Sequence, residues 1–257
     1  MKWYNESEKR QLKLSNTNNK LGKESGFLET DRLYQVEKKD IKKLEDLLTR
    51  CFLNDPLYCK FIPDEKTRKR LLRQLFKFDL EELFESCVIY ADSKELNGII
   101  VVSDESEHYN VIKYFWDVIV AELKTDHYLI KEDPSLKTLW NFSIGRNYLN
   151  SKWTEKLDED NRLHIIYLAV SPTMQHHGIS RKLIQAVLDY ADEYDLMVSL
   201  ETHNRHNVSF YEHFGFLTYE KIEKHFDLVQ YCMIREARSK IEALEISCEK
   251  DDKIVNA

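Results

Sequence analysis

The stretch that decides the fold reads Leu168-Ala169-Val170-Ser171-Pro172, followed by Gln175-His176-His177-Gly178-Ile179-Ser180-Arg181. An apolar, strand-like segment runs through a proline turn into a helix whose first residues are small. The first backbone N–H groups of such a helix have no partner inside it and point outward with the positive end of the helix dipole. That arrangement is an anion site, and phosphate is its common occupant. Gly178 lets the backbone approach a ligand with no Cβ in the way. Alone, the junction reads as readily as a structural turn. The residues that follow weigh on the choice: Leu200-Glu201-Thr202 ends a strand, and Asn204, Asn207, Phe210-Tyr211-Glu212 and Gly215-Phe216 come after it at fixed offsets.

Working outward, strands and helices alternate through the last third of the chain. His164–Val170 is strand-like, and Gly178–Tyr194 carries Ile179, Leu183, Val187, Ala191 and Tyr194 along one helical face. Met197–Leu200 is a strand, Asn207–Phe214 a short helix ended by Gly215, and Phe226–Ile234 a closing strand. Upstream, Leu33–Val36 reads as a short strand, with Asp40 capping a helix that carries Ile41, Leu44, Leu47 and Leu48. Asp55-Pro56 breaks the chain and Phe61-Ile62-Pro63 marks a turn. A second helix spans about Glu65 to Leu83 with Leu72, Leu75, Phe76 and Leu80 on one stripe. Cys87–Ala91 and Gly98–Val102 form a hairpin around Asn97-Gly98. From Tyr109 to Tyr148 the pattern is helical, broken near Asp133-Pro134. Its aromatic residues Tyr114, Phe115, Trp116, Tyr128, Trp140 and Phe142 read first as helix packing and second as ligand contacts. Residues 1–29 read as a flexible extension, 30–236 as the folded domain, and 237–257 as a charged tail.

Composition narrows the function. The 257 residues carry a net charge of −7 with no long block of Lys and Arg, which argues against a nucleic-acid partner. The five cysteines are scattered, without Cys-x-x-Cys or zinc-site spacing, and read as reduced thiols with no metal. No secretory signal and no apolar run long enough for a bilayer is seen, so the expectation is a cytoplasmic protein with no membrane partner.

Taken together, these motifs resemble those of the GNAT N-acetyltransferases. The pyrophosphate loop of that family, Gln/Arg-x-x-Gly-x-Gly/Ala, is matched by Gln175-x-x-Gly178-x-Ser180. The later Asn-x-x-x-Phe-Tyr-x-x-x-Gly-Phe is close to Asn207 through Phe216. Ser180 departs from the usual Gly or Ala, and His176-His177 replaces residues that are often small and basic. The likeness covers roughly Asp31 to Glu236. Asp55-Pro56, the Phe61-Ile62-Pro63 turn and the long helical stretch before His164 look like the branch containing puromycin acetyltransferase.

The resemblance implies an α/β (α+β) fold: a mixed, mostly antiparallel twisted sheet of six to seven strands, flanked by helices, with splayed central strands. It implies acetyl-CoA as co-substrate. The pantetheine arm would lie along Leu168, Ala169 and Val170. The pyrophosphate would be held by Gln175, His176, His177, Gly178, Ile179, Ser180 and Arg181, with Asn204, Asn207 and Tyr211 on the far side. It implies direct transfer to a primary amine, probed by three catalytic candidates. Tyr211 is either the acid that protonates the departing thiolate or a packing residue. His164 is either a base or a hydrogen-bonded strand histidine. Glu201 is a base, an ammonium ligand, a relay through water or a salt-bridge partner. His203 and His206 read first as solvated loop residues and second as lining the cleft. A small-molecule amine, with the protein a monomer or homodimer, is the first expectation. A protein N-terminal or lysine acetyltransferase and a non-catalytic acyl-CoA-binding module are the alternatives.

Overall fold

A computed structural model describes residues 33–104, 133, 136–145, 148, 151–157 and 161–240. The extension 1–29, the aromatic residues Tyr114, Phe115, Trp116 and Tyr128, and all of the tail after Lys240 lie outside the described residues. In chain order the elements are β1 (Tyr34–Gln35), α1 (Ile41–Phe52), α2 (Pro56–Phe61), α3 (Glu65–Ser86), β2 (Val88–Ala91), β3 (Gly98–Asp104), α4 (Lys137–Gly145), β4 (Arg162–Val170), α5 (Ile179–Tyr194), β5 (Met197–Thr202), α6 (Arg205–Glu212), β6 (Leu217–Glu223) and β7 (Val229–Arg235). The strands form one sheet in the order β1-β2-β3-β4-β5-β7-β6, in which β4 and β5 are parallel and every other pair is antiparallel.

Both faces of the central strands are buried, so β3 reads as an unbroken apolar run rather than an alternating one. Ile99 and Val101 pack with Leu44, Leu47, Leu72 and Phe76 of α1 and α3. Ile100 and Val102 pack on the other face with Leu183, Ile184 and Val187 of α5. Burying each of these α5 side chains is worth about 1.5–3 kcal/mol, which fixes α5 against the sheet. Tyr194, expected on the same face, lies beyond it: the side chain is exposed and its ring stacks on Tyr190.

Asp79 of α3 is buried and accepts a 2.6 Å hydrogen bond from the Tyr167 hydroxyl of β4. Burial pushes its carboxyl up to about 7, and the bond from Tyr167 only partly offsets that rise.

Local chemistry departs from the sequence reading in several places. Asp40 does not cap α1; its carboxylate accepts from the Tyr34 hydroxyl (2.9 Å) and closes a capping box with Glu37 around the 3₁₀ turn Lys38–Asp40. The segment after Asp55-Pro56 is a short helix rather than a break, because Pro56 suits its first turn and Asp55 accepts from Leu57 N. β4 begins at Arg162, two residues before His164. α6 begins at Arg205, where Asn204 accepts from His206 N. β6 is a seventh strand that no apolar run announced: it is an edge strand, and Leu217 and Tyr219 are exposed. Of the aromatic residues near α4, Phe142 and Tyr148 are buried, whereas Trp140 is 66% exposed.

Candidate active site

The site starts where two parallel strands part. β4 and β5 pair from Arg162↔Met197 to Ile165↔Leu200 and no further, although β4 continues to Val170 and β5 to Thr202. The cause lies on the other edge of β4. Tyr167 faces Val101 while Ile165 faces Val102, leaving Ile166 as an extra residue. Such a bulge bends its strand, and here it bends β4 at the level where β5 departs. Ser171 N donates to Asn97 O (2.7 Å), so by the alternation of an antiparallel ladder Ala169 and Tyr167 direct their backbone groups to β3. Leu168 and Val170 therefore direct theirs into the gap. The Val170 carbonyl accepts from the Cys51 thiol (3.3 Å) and from Gln175 Nε2 (3.5 Å), neither of them on a strand. Ala169 is buried in the core on the α1 side.

The gap opens toward the start of α5. After the 3₁₀ turn Pro172–Met174 the chain is extended at Gln175, left-handed at His176 (φ 64°) and left-handed again at Gly178 (φ 79°). A Cβ on Gly178 would meet nothing within 4 Å, so glycine is needed there for its conformation rather than for space. No side chain caps α5 and no acidic residue sits in its first turn, which leaves its N–H groups directed outward with the dipole. Gln175, His176, His177 and Arg181 are exposed around it, while Ile179 and Ser180 are half-buried. Arg181 reaches His213 Nε2 at 3.1 Å and lies over the Phe214 ring, so it ties the start of α5 to the end of α6. Gly98 has the opposite requirement: a Cβ there would stand 2.4 Å from Ile179 Cγ2, so α5 rests directly on β3.

On the α1 side of the sheet, His164 of β4 and Ser199 of β5 are paired in register, and Glu201 follows two residues later on the same face. His164 Nε2 lies 2.9 Å from Glu201 Oε2 and 3.4 Å from Ser151 Oγ, and His164 Nδ1 lies 2.9 Å from Ser199 Oγ. Trp153, in the 3₁₀ turn Lys152–Lys156, donates its indole N–H to Glu201 Oε1 at 2.6 Å. Burial by itself raises a carboxyl. Here the His164 charge and the bonds from His164, Ser151 and Trp153 outweigh it and hold Glu201 well below the usual carboxylate range. His164 and Glu201, separate candidates in the sequence, are thus one buried pair.

The same face carries three residues that were not among the catalytic candidates. Cys232 of β7 stands opposite Glu201, and Gln230 lies two residues before it. His203 follows Glu201 by two residues and is half-buried rather than solvated. One ring nitrogen of His203 bonds the Tyr148 backbone and its ring meets the Tyr148 ring edge-on at 6.0 Å. Burial lowers its pKa to about 4 against the opposing pull of Glu201 and of that bond. Tyr148 is itself fixed: its hydroxyl receives Lys224 N (2.6 Å) and His225 N (2.7 Å) in the β6–β7 turn. The period of two along β5 was the available signal for His203; nothing in the sequence marked Trp153 or Gln230.

α6 supplies the remaining candidates. Tyr211 is buried in the cluster on the α5 side, against Phe210 and Phe216, and burial pushes its hydroxyl well above the ordinary phenol value. Asn204 is engaged as the cap of α6, and Asn207 Nδ2 lies 3.4 Å from Thr202 Oγ1 at the end of β5. The structure therefore brings His164 and Glu201 into contact and keeps Tyr211 on the opposite side of the sheet.

Comparison with known proteins agrees with this geometry. The model of the acetyltransferase (GNAT) family matches residues 42–216. An uncharacterized N-acetyltransferase of Schizosaccharomyces pombe, C550.08, is 26% identical over 192 residues, covering 73% of this chain and 75% of that protein. Among solved structures, a Corynebacterium glutamicum protein described as histone acetyltransferase HPA2 and related acetyltransferase superposes with a TM-score of 0.53 at 18% identity. That match covers 80% of this chain and 95% of the other. A mosquito arylalkylamine N-acetyltransferase like 5b gives 0.50 at 14% identity over 79% of this chain and 98% of that one. These two establish the likeness of fold.

Proposed function

Because this chain belongs to the GNAT acetyltransferase family, and is therefore an acyltransferase, we propose that it moves an acetyl group from acetyl-CoA directly to the primary amine of a small molecule. The observation that carries the reading is the gap between β4 and β5, which leads from the glycine-capped start of α5 to the buried His164–Glu201 pair.

In this reading the outward N–H groups from Gln175 to Arg181 hold the pyrophosphate, with Arg181 adding charge. The backbone of Leu168 and Val170 pairs with the amide groups of the pantetheine arm, as an added strand would. Asn207, next to Thr202, bonds the arm from the β5 side. Acetyl-CoA supplies an acyl group already activated as a thioester. Tyr211, whose raised pKa keeps it protonated through neutral pH, gives a proton to the departing sulfur. The His164–Glu201 pair presents a fixed carboxylate toward the side from which a positively charged amine arrives.

Two features favour a small acceptor. Phe142 and Tyr148 are buried in the core on the α1 side and Trp153 is buried against Glu201, which suits a compact acceptor. The resemblance to the puromycin-acetyltransferase branch points the same way. Thiol release from acetyl-CoA, measured with a panel of primary amines and of peptides, tests the proposal. Turnover on small amines with little on peptides is expected. Turnover on peptides alone would replace it with protein acetylation, and binding of acetyl-CoA without turnover on any acceptor would favour a regulatory module.

A further inference from the structure

The acetyltransferase reading needs an atom that receives the proton of the acceptor amine, and the pair that first suggests itself is already engaged. A free alkylamine is protonated at neutral pH, with a pKa of about 10, and must lose one proton before it attacks. His164 has Nε2 on Glu201 and Nδ1 on Ser199. Glu201 has Oε1 on Trp153 and Oε2 on His164. Glu201 keeps lone-pair capacity for binding an ammonium, but its carboxyl is held well below the usual range and is a weak proton acceptor.

Beside them stand two buried acceptors without a donor. His203 Nε2 and Gln230 Oε1 are buried and have no hydrogen-bond partner among the described residues, although more than nine in ten buried polar groups in folded proteins are paired. His203 gives its other nitrogen to the Tyr148 backbone, which fixes the neutral tautomer with the proton on Nδ1 and the lone pair on Nε2. Gln230 is 1% exposed. Thr202 pairs with Tyr231, so continuing that register by one step carries His203 opposite Gln230, on the face that holds Glu201 and Cys232. A cavity of about 340 Å³ opens on the same face. Its walls include Trp153, which holds Glu201, and Ile222, which is paired with Gln230, so it lies beside His203 and Gln230 without being lined by either. Its volume is that of a small-ligand pocket.

We propose that His203 and Gln230 form the acceptor-amine subsite, Gln230 Oε1 receiving one N–H of the amine and His203 Nε2 taking its proton. The acceptor arrives as R–NH₃⁺. One proton passes to Nε2, and the freed lone pair forms the C–N bond to the acyl carbon as the C–S bond breaks. Tyr211 protonates the sulfur, and a second proton leaves the nitrogen to restore the phenol. His203 returns its proton to solvent, so the products are the amide, the free thiol and one proton. The groups facing His203 are Glu201 from β5, Tyr148 from the segment before β4, and Gln230 and Cys232 from β7. Burial outweighs the opposing pull of Glu201 and of the Tyr148 bond and leaves the imidazole neutral at physiological pH.

The proposal rests on the acetyltransferase reading, and the test separates the two. Acetyl-CoA binding is followed by calorimetry. Turnover is followed with 2-phenylethylamine, tyramine, putrescine and agmatine for wild type, His203→Ala, His203→Gln and Gln230→Leu. His203→Ala is expected to lower kcat about 10²–10³-fold with KM for acetyl-CoA unchanged, to lose the acidic limb of the kcat profile, and to recover in part with added imidazole. Gln230→Leu is expected to raise KM for the amine about tenfold while the melting temperature holds, because a buried acceptor with no donor does not support the fold. A melting temperature that falls with kcat and the acidic limb intact marks a structural role and overturns the proposal. So does His203→Ala or His203→Gln turning over at the wild-type rate. Wild type that fails to bind acetyl-CoA, or binds it and acetylates none of the amines, overturns the reading underneath.

Discussion

His164 and Glu201 sit on adjacent parallel strands with Nε2 2.9 Å from Oε2, His164 one residue before the last pair Ile165↔Leu200 and Glu201 one residue after it. Their contact exists because β4 and β5 are still in register at His164↔Ser199, which puts Glu201 diagonally across from the imidazole. A buried pair of this kind contributes through the cost of breaking it rather than through its formation. Removing one partner leaves the other charged or unsatisfied in a site that little water reaches.

Glu201→Gln is therefore expected to destabilise the protein by about 1–3 kcal/mol, and so is His164→Gln. The double variant should lose less than the two together, with a coupling of at least about 1 kcal/mol. Urea denaturation of the four proteins measures it, and strict additivity would show that the two groups do not act as a pair. The carboxyl is held below its usual range, so its contribution is complete above about pH 4.5 and is lost as pH falls through the lowered value.

Asp79 titrates in the opposite sense. Its folded-state pKa is raised to about 7 by burial, so its contribution is present below the unfolded value of about 3.9 and is lost as pH rises to 7. Asp79→Asn keeps an acceptor for the Tyr167 hydroxyl and removes the charge. It should stabilise the protein by on the order of 2–4 kcal/mol at pH 8 and have little effect at pH 4, read from denaturation midpoints across pH.

Tyr211→Phe should lower kcat about 10²–10³-fold with little change in KM for acetyl-CoA. Among the described residues its hydroxyl has no hydrogen-bond partner, so the melting temperature should hold. Thiol-release kinetics beside a thermal melt decide it; equal losses of stability and rate would return Tyr211 to a packing role.

The two glycines flanking the start of α5 should respond differently to alanine. Gly98→Ala places a methyl 2.4 Å from Ile179 Cγ2 and must push α5 off β3, at about 1–3 kcal/mol and with a raised KM for acetyl-CoA. Gly178→Ala meets no atom and incurs only the left-handed conformation, about 1–2 kcal/mol. Acetyl-CoA titrations and melting curves of both variants distinguish displacement from strain.

The most legible parts of the sequence were those governed by local physics. The helical stripes of α1, α3 and α5 are set by spacing, the turn into α5 by Pro172 and Gly178, and the closing turn after α6 by Gly215, whose φ is 84°. β6 escaped because an edge strand with exposed faces carries no apolar run. Asp40 misled because a good cap residue can serve a preceding 3₁₀ turn instead.

The site divides along the same line. The sequence by itself determined the family and the approach to the donor, because Gln175–Arg181 and Asn207–Phe216 are contiguous and their backbone geometry follows from neighbours in the chain. It also put His164, Glu201 and Tyr211 on the page as separate residues of undecided role. Only the tertiary structure decided that His164 and Glu201 are bound to each other and to Ser199 and Trp153, and that His203 Nε2 and Gln230 Oε1 stand beside them with no partner among the described residues. Those relations depend on the register between β4, β5 and β7. Register is fixed by how buried faces pack across strands far apart in sequence, and no local pattern encodes it.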